Sequence, residues 1–166
     1  VLLTYYNPVF RYPADKFFRE AKDIGIDGVI IPDMPHEEQQ EIRPLADDND
    51  VDIIQMVAPT SEARIRANVK DATGFVYVVS SMGVTGMRGD IKTDLKDIIK
   101  VIKETTDTPV AIGFGIHTPE QAHNMAALAD GVITGSGVVD IINKEGSKAD
   151  EDLMAYIGGL KKGMEQ

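Results

Sequence analysis

The sequence predicts an α/β fold with parallel strands: a (β/α) barrel of the TIM type, incomplete at its N-terminus, with about six of the usual eight strands. Three observations predict it. Short apolar, β-branched runs alternate with helical patterns along the chain, which implies parallel strands joined by right-handed crossovers. The runs are continuous rather than alternating, Val29-Ile30-Ile31 being the plainest, as in strands covered on both faces. Two neighbouring runs near the C-terminus end in small residues and pass into helix starts. They read V-A-I-G-F-G-I-H-T-P-E-Q from Val110 and D-G-V-I-T-G-S-G-V-V-D from Asp130.

These two corners organise the rest. Gly113 and Gly115 end the first run; Gly135, Ser136 and Gly137 end the second. Glycine permits positive φ and close approach of the backbone to a ligand. Amides at a following helix N-terminus favour an anion. Two such turns after consecutive parallel strands form the phosphate site of many (β/α) barrels. The bland alternative is a pair of ordinary βα loops in which glycine serves turn geometry alone.

Composition narrows the function. At 166 residues the chain is long enough for one sizeable core, and it reads as a single domain spanning 1–166. Its net charge of −10 argues against binding a nucleic-acid backbone. Without cysteine there is no disulfide framework and no thiol catalysis. No apolar run approaches the roughly 20 residues that span a bilayer, and nothing resembles a signal peptide. The expectation is a soluble, cytoplasmic protein.

In chain order, Val1 to Tyr5 reads as the end of a buried strand, broken by Asn7-Pro8. Pro13 to Lys22 has helical spacing, with Phe17, Phe18 and Ala21 toward a core, and Gly25 and Gly28 act as stop signals. Val29–Ile31 is a strand that ends at the stiff turn Pro32-Asp33-Met34-Pro35. Glu37 to Ala46 is then helical, with an acidic first turn that suits the helix dipole. Val51 to Val57 is a strand, followed by a helix ending near Val69, and Phe75 to Val79 is the next strand. Ser80 to Ile91 is the longest loop, with three glycines, and suits a lid. Asp94 to Glu104 is a helix with Leu95, Ile98, Ile99 and Ile102 on one face. Val110–Ile112 and Val132-Ile133 are the last strands. Helices follow at Val138–Asn143 and Asp150–Met164, separated by Gly146–Lys148. The opening residue already lies in a strand, so about two βα units are expected before Val1.

The motifs L-T-Y-Y-N-P at Leu3–Pro8, D-G-V-I-I-P-D-M-P at Asp27–Pro35 and Y-V-V-S-S-M-G-V-T-G at Tyr77–Gly86 come in this order, followed by the two glycine corners. With them the chain resembles the tryptophan synthase alpha chains, from their third strand to their C-terminus. The resemblance implies cleavage of indole-3-glycerol phosphate to indole and glyceraldehyde 3-phosphate in tryptophan biosynthesis. It also implies passage of indole to a PLP-dependent beta chain within an alpha2beta2 tetramer. The alpha chain itself would carry no cofactor and no metal.

The resemblance also implies roles for single residues. Tyr77 lies near the catalytic carboxylate, and Gly83 to Gly86 form the mobile sixth loop, where Thr85 helps to close the site. Gly86 counts with the substrate-binding residues. Phe114, Gly115, Gly135 and Ser136 hold the substrate phosphate, and Tyr5 lines the indole pocket. Asn7, Asp33 and Pro35 meet the beta chain. The general acid–base glutamate and its aspartate partner belong to the part before Val1, so no catalytic residue of this kind is expected in the chain. Proton transfer during retro-aldol cleavage needs such positioned carboxylates. Asp33 and Asp90 do not replace them, and the chain is expected to bind phosphate weakly and to catalyse negligibly.

Other residues read more simply. Taken alone, Tyr77 suits core packing, and Met82 and Met87 suit ordinary packing. His36, His117 and His123 are too scattered for a metal site. Asp47-Asp48-Asn49-Asp50 reads as a solvated helix end. The alternatives to the lyase reading are a non-catalytic phosphate-binding partial barrel or assembly module, or another phosphate-binding barrel enzyme.

Overall fold

The structure, a computed structural model, describes residues 1–79, 95–113 and 115–165. Strands β1 (Leu2–Leu3), β2 (Gly28–Ile30) and β3 (Asp52–Ile53) pair in that order, all parallel. Strands β4 (Gln55–Val57), β5 (Val76–Val79), β6 (Val110–Gly113) and β7 (Gly131–Ile133) pair in sequence order, again all parallel. β3 and β4 are two halves of one extended segment, interrupted only at Ile54, and this segment changes partner along its length. The six strands read from the sequence are therefore all present, and their C-terminal ends share one rim. This is the parallel, strand–helix architecture of a partial TIM-type barrel.

Helices cover the outer face. They are α1 (Tyr6–Arg11), α2 (Ala14–Asp23), α3 (Arg43–Asp47), α4 (Glu62–Val69), α5 (Leu95–Lys103), α6 (Pro119–Ala126), α7 (Ser136–Glu145) and α8 (Asp150–Met164). One apolar cluster, with Phe18, Val29, Ile42 and Ile53, packs under β1 to β3. A second, with Ile65, Val76, Ile102, Ile112 and Leu160, packs under β4 to β7. In α5, the buried Ile98, Ile99 and Ile102 lie at the spacing that turns a helical stripe inward.

Three local expectations are refined. The chain leaves the strand before Asn7-Pro8, as expected, but both residues lie in α1, where a proline in the first turn removes only an amide that has no intrahelical partner. The single helix expected over Glu37–Ala46 is a 3-10 turn at His36–Glu41 followed by α3; Pro44 has no amide to donate to the Gln40 carbonyl, a bond that a continuous helix would need. Gly28 is a strand residue where an added Cβ would lie 3.1 Å from the Asp52 carbonyl, whereas Gly25 alone closes α2, with φ of +80°. The expected buried first strand also differs: Leu2 and Leu3 are exposed, the latter by 67%. The expected lid, with Gly83, Val84, Thr85, Gly86 and Asp90, lies outside the described residues, as does Phe114.

Candidate functional site

The glycine corners adjoin because β6 and β7 are paired, with Gly113 opposite Ile133. The backbone then differs from glycine to glycine. Of the residues expected to use positive φ, Gly115 does so, at +78°, whereas Gly135 has φ of −133°. Gly113 is required by space: a Cβ there would overlap the Tyr77 ring. Tyr77 lies one strand away in β5, in register with Ala111, and Val79 is in register with Gly113. Burial pushes the Tyr77 phenol above its usual pKa, so it stays a neutral hydrogen-bond donor at neutral pH.

A hydrogen-bond scaffold fixes the first corner. The His117 ring Nδ1 lies 2.8 Å from the Gly115 carbonyl, which can only accept, so this nitrogen carries the proton. The His117 and Thr118 amides both donate to Gln121 Oε1, at 2.9 and 3.1 Å. Gln121 N in turn donates to Thr118 Oγ1, completing a capping box at the start of α6. His117 is exposed, as expected, but it has a structural task that its position in the sequence did not show.

The second corner opens α7. Gly135 is its N-cap, and the first helical bond runs from Val139 N to Gly135 O at 3.1 Å. The amides of Ser136, Gly137 and Val138 precede that bond and belong to the set that a helix leaves without intrahelical acceptors. Gly135 and Ser136 are exposed, and Cβ atoms built at Gly115 or Gly135 would meet nothing within 4 Å. The approach to both corners is thus open among the described residues. With the partial positive charge of a helix N-terminus, this arrangement suits an anion.

Thr134 joins the two corners. Its Oγ1 donates to the Ile116 carbonyl at 2.8 Å and lies 3.0 Å from the Tyr156 hydroxyl of α8. Sequence reasoning passed over both residues. Thr134 sat unassigned inside the I-T-G-S run, and no local signal pairs it with a tyrosine 22 positions away.

The remaining candidates gather at the ends of β1 and β2. Asp33 Oδ1 accepts a 2.8 Å hydrogen bond from Tyr6 N, which fixes the α1 entry against the turn after β2. Asn7 is exposed on α1, Tyr5 is its exposed N-cap, and Pro35 precedes the 3-10 turn. Tyr5, Asn7, Asp33 and Pro35 therefore form one solvent-facing group. Beside it, a cavity of about 370 Å³ is lined by Met34, His36, Gln55, Met56 and Ile65 among others. Gln55 is fully buried: its Nε2 donates to Gln39 Oε1 at 2.6 Å, whereas its Oε1 meets no protein partner among the described residues. This cavity does not include the glycine corners, which lie open to solvent.

The comparisons with known proteins agree with this geometry. The family model described as tryptophan synthase alpha chain matches residues 1–165. The chain is 50% identical over 149 residues to the tryptophan synthase alpha chain of Lacticaseibacillus casei, covering 90% of this chain and 56% of that protein. It is 45% identical over 163 residues to that of a Thermoanaerobacter species, covering 97% and 62%. Among solved structures, Mycobacterium tuberculosis tryptophan synthase superposes with a TM-score of 0.85 at 35% identity, covering all of this chain and 62% of that one. The alpha subunit of Campylobacter jejuni gives 0.84 at 32% identity, covering 96% and 64%. The chain thus spans about three-fifths of the length of the relatives it matches. The match rests on the whole run of strands and corners and sets aside other phosphate-binding barrels: this chain belongs to the tryptophan synthase alpha chain family.

Proposed function

We propose that the chain supplies the phosphate-holding part of a lyase that cleaves indole-3-glycerol phosphate into indole and glyceraldehyde 3-phosphate, as the alpha subunit of a cytoplasmic tryptophan synthase. The observation that carries this reading is the pairing of the Gly115 corner with the α7 N-terminus across a single Thr134 hydrogen bond. The phosphate would sit on the Gly115, Gly135 and Ser136 backbone, with the Ser136 hydroxyl adding a bond. Tyr77, held by contact with Gly113, would face the indole-glycerol portion with Tyr5; Thr85 and Gly86 lie outside the described residues and enter this reading only through the family resemblance.

Neither metal nor cofactor takes part in this reading. Proton transfer at indole C3 and at the glycerol hydroxyl falls to carboxylates contributed by the rest of the family's barrel. Asp33 is a poor substitute, because one of its oxygens already serves Tyr6 N. The same bond supports an assembly role: Asn7, Asp33 and Pro35 form the face toward a PLP-dependent beta chain. A solved Pyrococcus furiosus relative, 30% identical, is described as an α2β2 complex.

The test is calorimetric titration of indole-3-glycerol phosphate into the chain, with an indole-release assay in parallel. Saturable binding without turnover, abolished by Ser136→Asp, is the expected result. Binding that ignores the added carboxylate removes the phosphate assignment, and indole release lost on Asp33→Ala removes the division of labour.

A further inference from the structure

We propose that Tyr156 and Thr134 are positioning residues for the substrate phosphate, an inference that rests on the phosphate reading of the glycine corners. Their hydrogen bonds run in one direction. The Ile116 carbonyl only accepts, so the single Thr134 hydroxyl proton is spent on it at 2.8 Å. The 3.0 Å contact between Thr134 Oγ1 and the Tyr156 hydroxyl must then be donated by Tyr156. The chain is Tyr156 O–H to Thr134 O–H to Ile116 C=O, and each bond polarises the next.

This relay crosses the anion site from behind. Ile116 is the buried residue directly after Gly115, and Thr134 directly precedes Gly135. The relay therefore fixes the spacing between the two sets of amides that one anion must share. Tyr156 adds a second hold. A Cβ at Gly137 would overlap its hydroxyl, so the ring tip seats directly on the first turn of α7. α8 is in turn packed along α6, where a Cβ at Gly163 would collide with the Pro119 backbone. The helix carrying Tyr156 is thus anchored on the helix that follows the first corner, and its hydroxyl reaches the second. Neither Tyr156 nor Thr134 needs to touch the ligand: both act by holding donors that do. Preorganised amides bind an anion without paying to be ordered at the moment of binding.

The experiment titrates inorganic phosphate and indole-3-glycerol phosphate into the unsubstituted chain, Tyr156→Phe, Thr134→Val, Thr134→Ser and the double variant Tyr156→Phe/Thr134→Val, each under conditions where it is fully folded. Tyr156→Phe keeps the ring and loses the proton. It should weaken binding by about threefold to tenfold, the scale of one lost positioning bond. Thr134→Val should weaken binding at least as much, and Thr134→Ser should restore it. In the Thr134→Val background, Tyr156→Phe should have no further effect on affinity, since its hydroxyl acts through Thr134. Leu160→Ala, a core change in the same helix, should lower stability while leaving the affinity of the folded chain intact.

Unaltered affinity in Tyr156→Phe, with Ser136→Asp still abolishing binding, overturns this proposal and leaves the phosphate reading standing. Additive losses in the double variant, or equal weakening by Leu160→Ala, overturn it as well, because they indicate general loosening. Failure of the unsubstituted chain to bind either probe overturns both readings.

Discussion

The Tyr77 ring occupies the space that a Cβ would need at Gly113. The two residues lie on neighbouring strands, with Val78 paired to Ile112, so neither backbone can withdraw without breaking the β5–β6 ladder. Gly113→Ala should therefore displace the ring and cost about 1–3 kcal/mol, as overpacking does. In a Tyr77→Ala background the same change should cost far less. Urea unfolding of the four proteins measures the coupling, and additive losses would show that the ring is not what excludes the methyl group.

Gly115 is held to glycine for a different reason. A Cβ there meets open space, but φ is +78°. Gly115→Ala should cost about 1–2 kcal/mol through backbone conformation alone, and no substitution at Tyr77 should relieve it. Thermal unfolding of Gly115→Ala with and without Tyr77→Ala separates the two mechanisms.

Asp33 caps α1 from a distance by accepting from Tyr6 N at 2.8 Å. Asp33→Ala should destabilise the chain by about 0.5–1 kcal/mol, the lower part of the range for lost helix caps, because the residue is exposed. Asp33→Asn, which retains an accepting oxygen, should recover most of it. Amide exchange at Tyr6 reports the bond directly and should accelerate only in the alanine variant.

Asp130 gives stability an acid-side dependence. The Val110 N–H, 2.8 Å from its Oδ2, and then Lys103, 3.3 Å from Oδ1, hold its carboxyl below the usual carboxylate range. A depressed folded-state value means that the stabilisation is full above the unfolded value, about 3.9, and fades as pH falls through the folded one. The side chain is 48% exposed, so solvent screens much of the ion-pair part. Asp130→Asn should lower stability modestly near neutrality, converge with the unsubstituted chain at acid pH and so flatten the profile, as denaturation across an acid-to-neutral pH series would show.

The parts legible in the sequence were those set by short-range pattern. Continuous β-branched runs located the six strands, and the last helix, Asp150–Met164, falls where the sequence placed it, with Asp150, Glu151 and Asp152 in its first turn. One error came from proline: Pro44 lacks the amide that a continuous Glu37–Ala46 helix would need, a constraint that was overlooked. α7 begins at Ser136 rather than Val138: glycine at 137 argues against a helix locally, yet it lies in the first turn, where a Cβ would meet the Tyr156 hydroxyl. At the candidate site, the Gly115 and Gly135–Ser136 corners were legible as adjoining turns because small residues end two consecutive strands. The Thr134 and Tyr156 hydroxyls were not, since a hydrogen bond between distant segments leaves no periodic mark.

The segment from Asp52 to Val57 lends its first half to β2 and its second half to β5. Ile53 belongs to one apolar cluster and Val57 to the other. Disorder at this seam would strip both neighbours of a partner in one event, so the two clusters should open as a single cooperative unit. Val29, bonded to Ile54 N on one side, and Val78, in register with Val57 on the other, should then share one slow exchange rate.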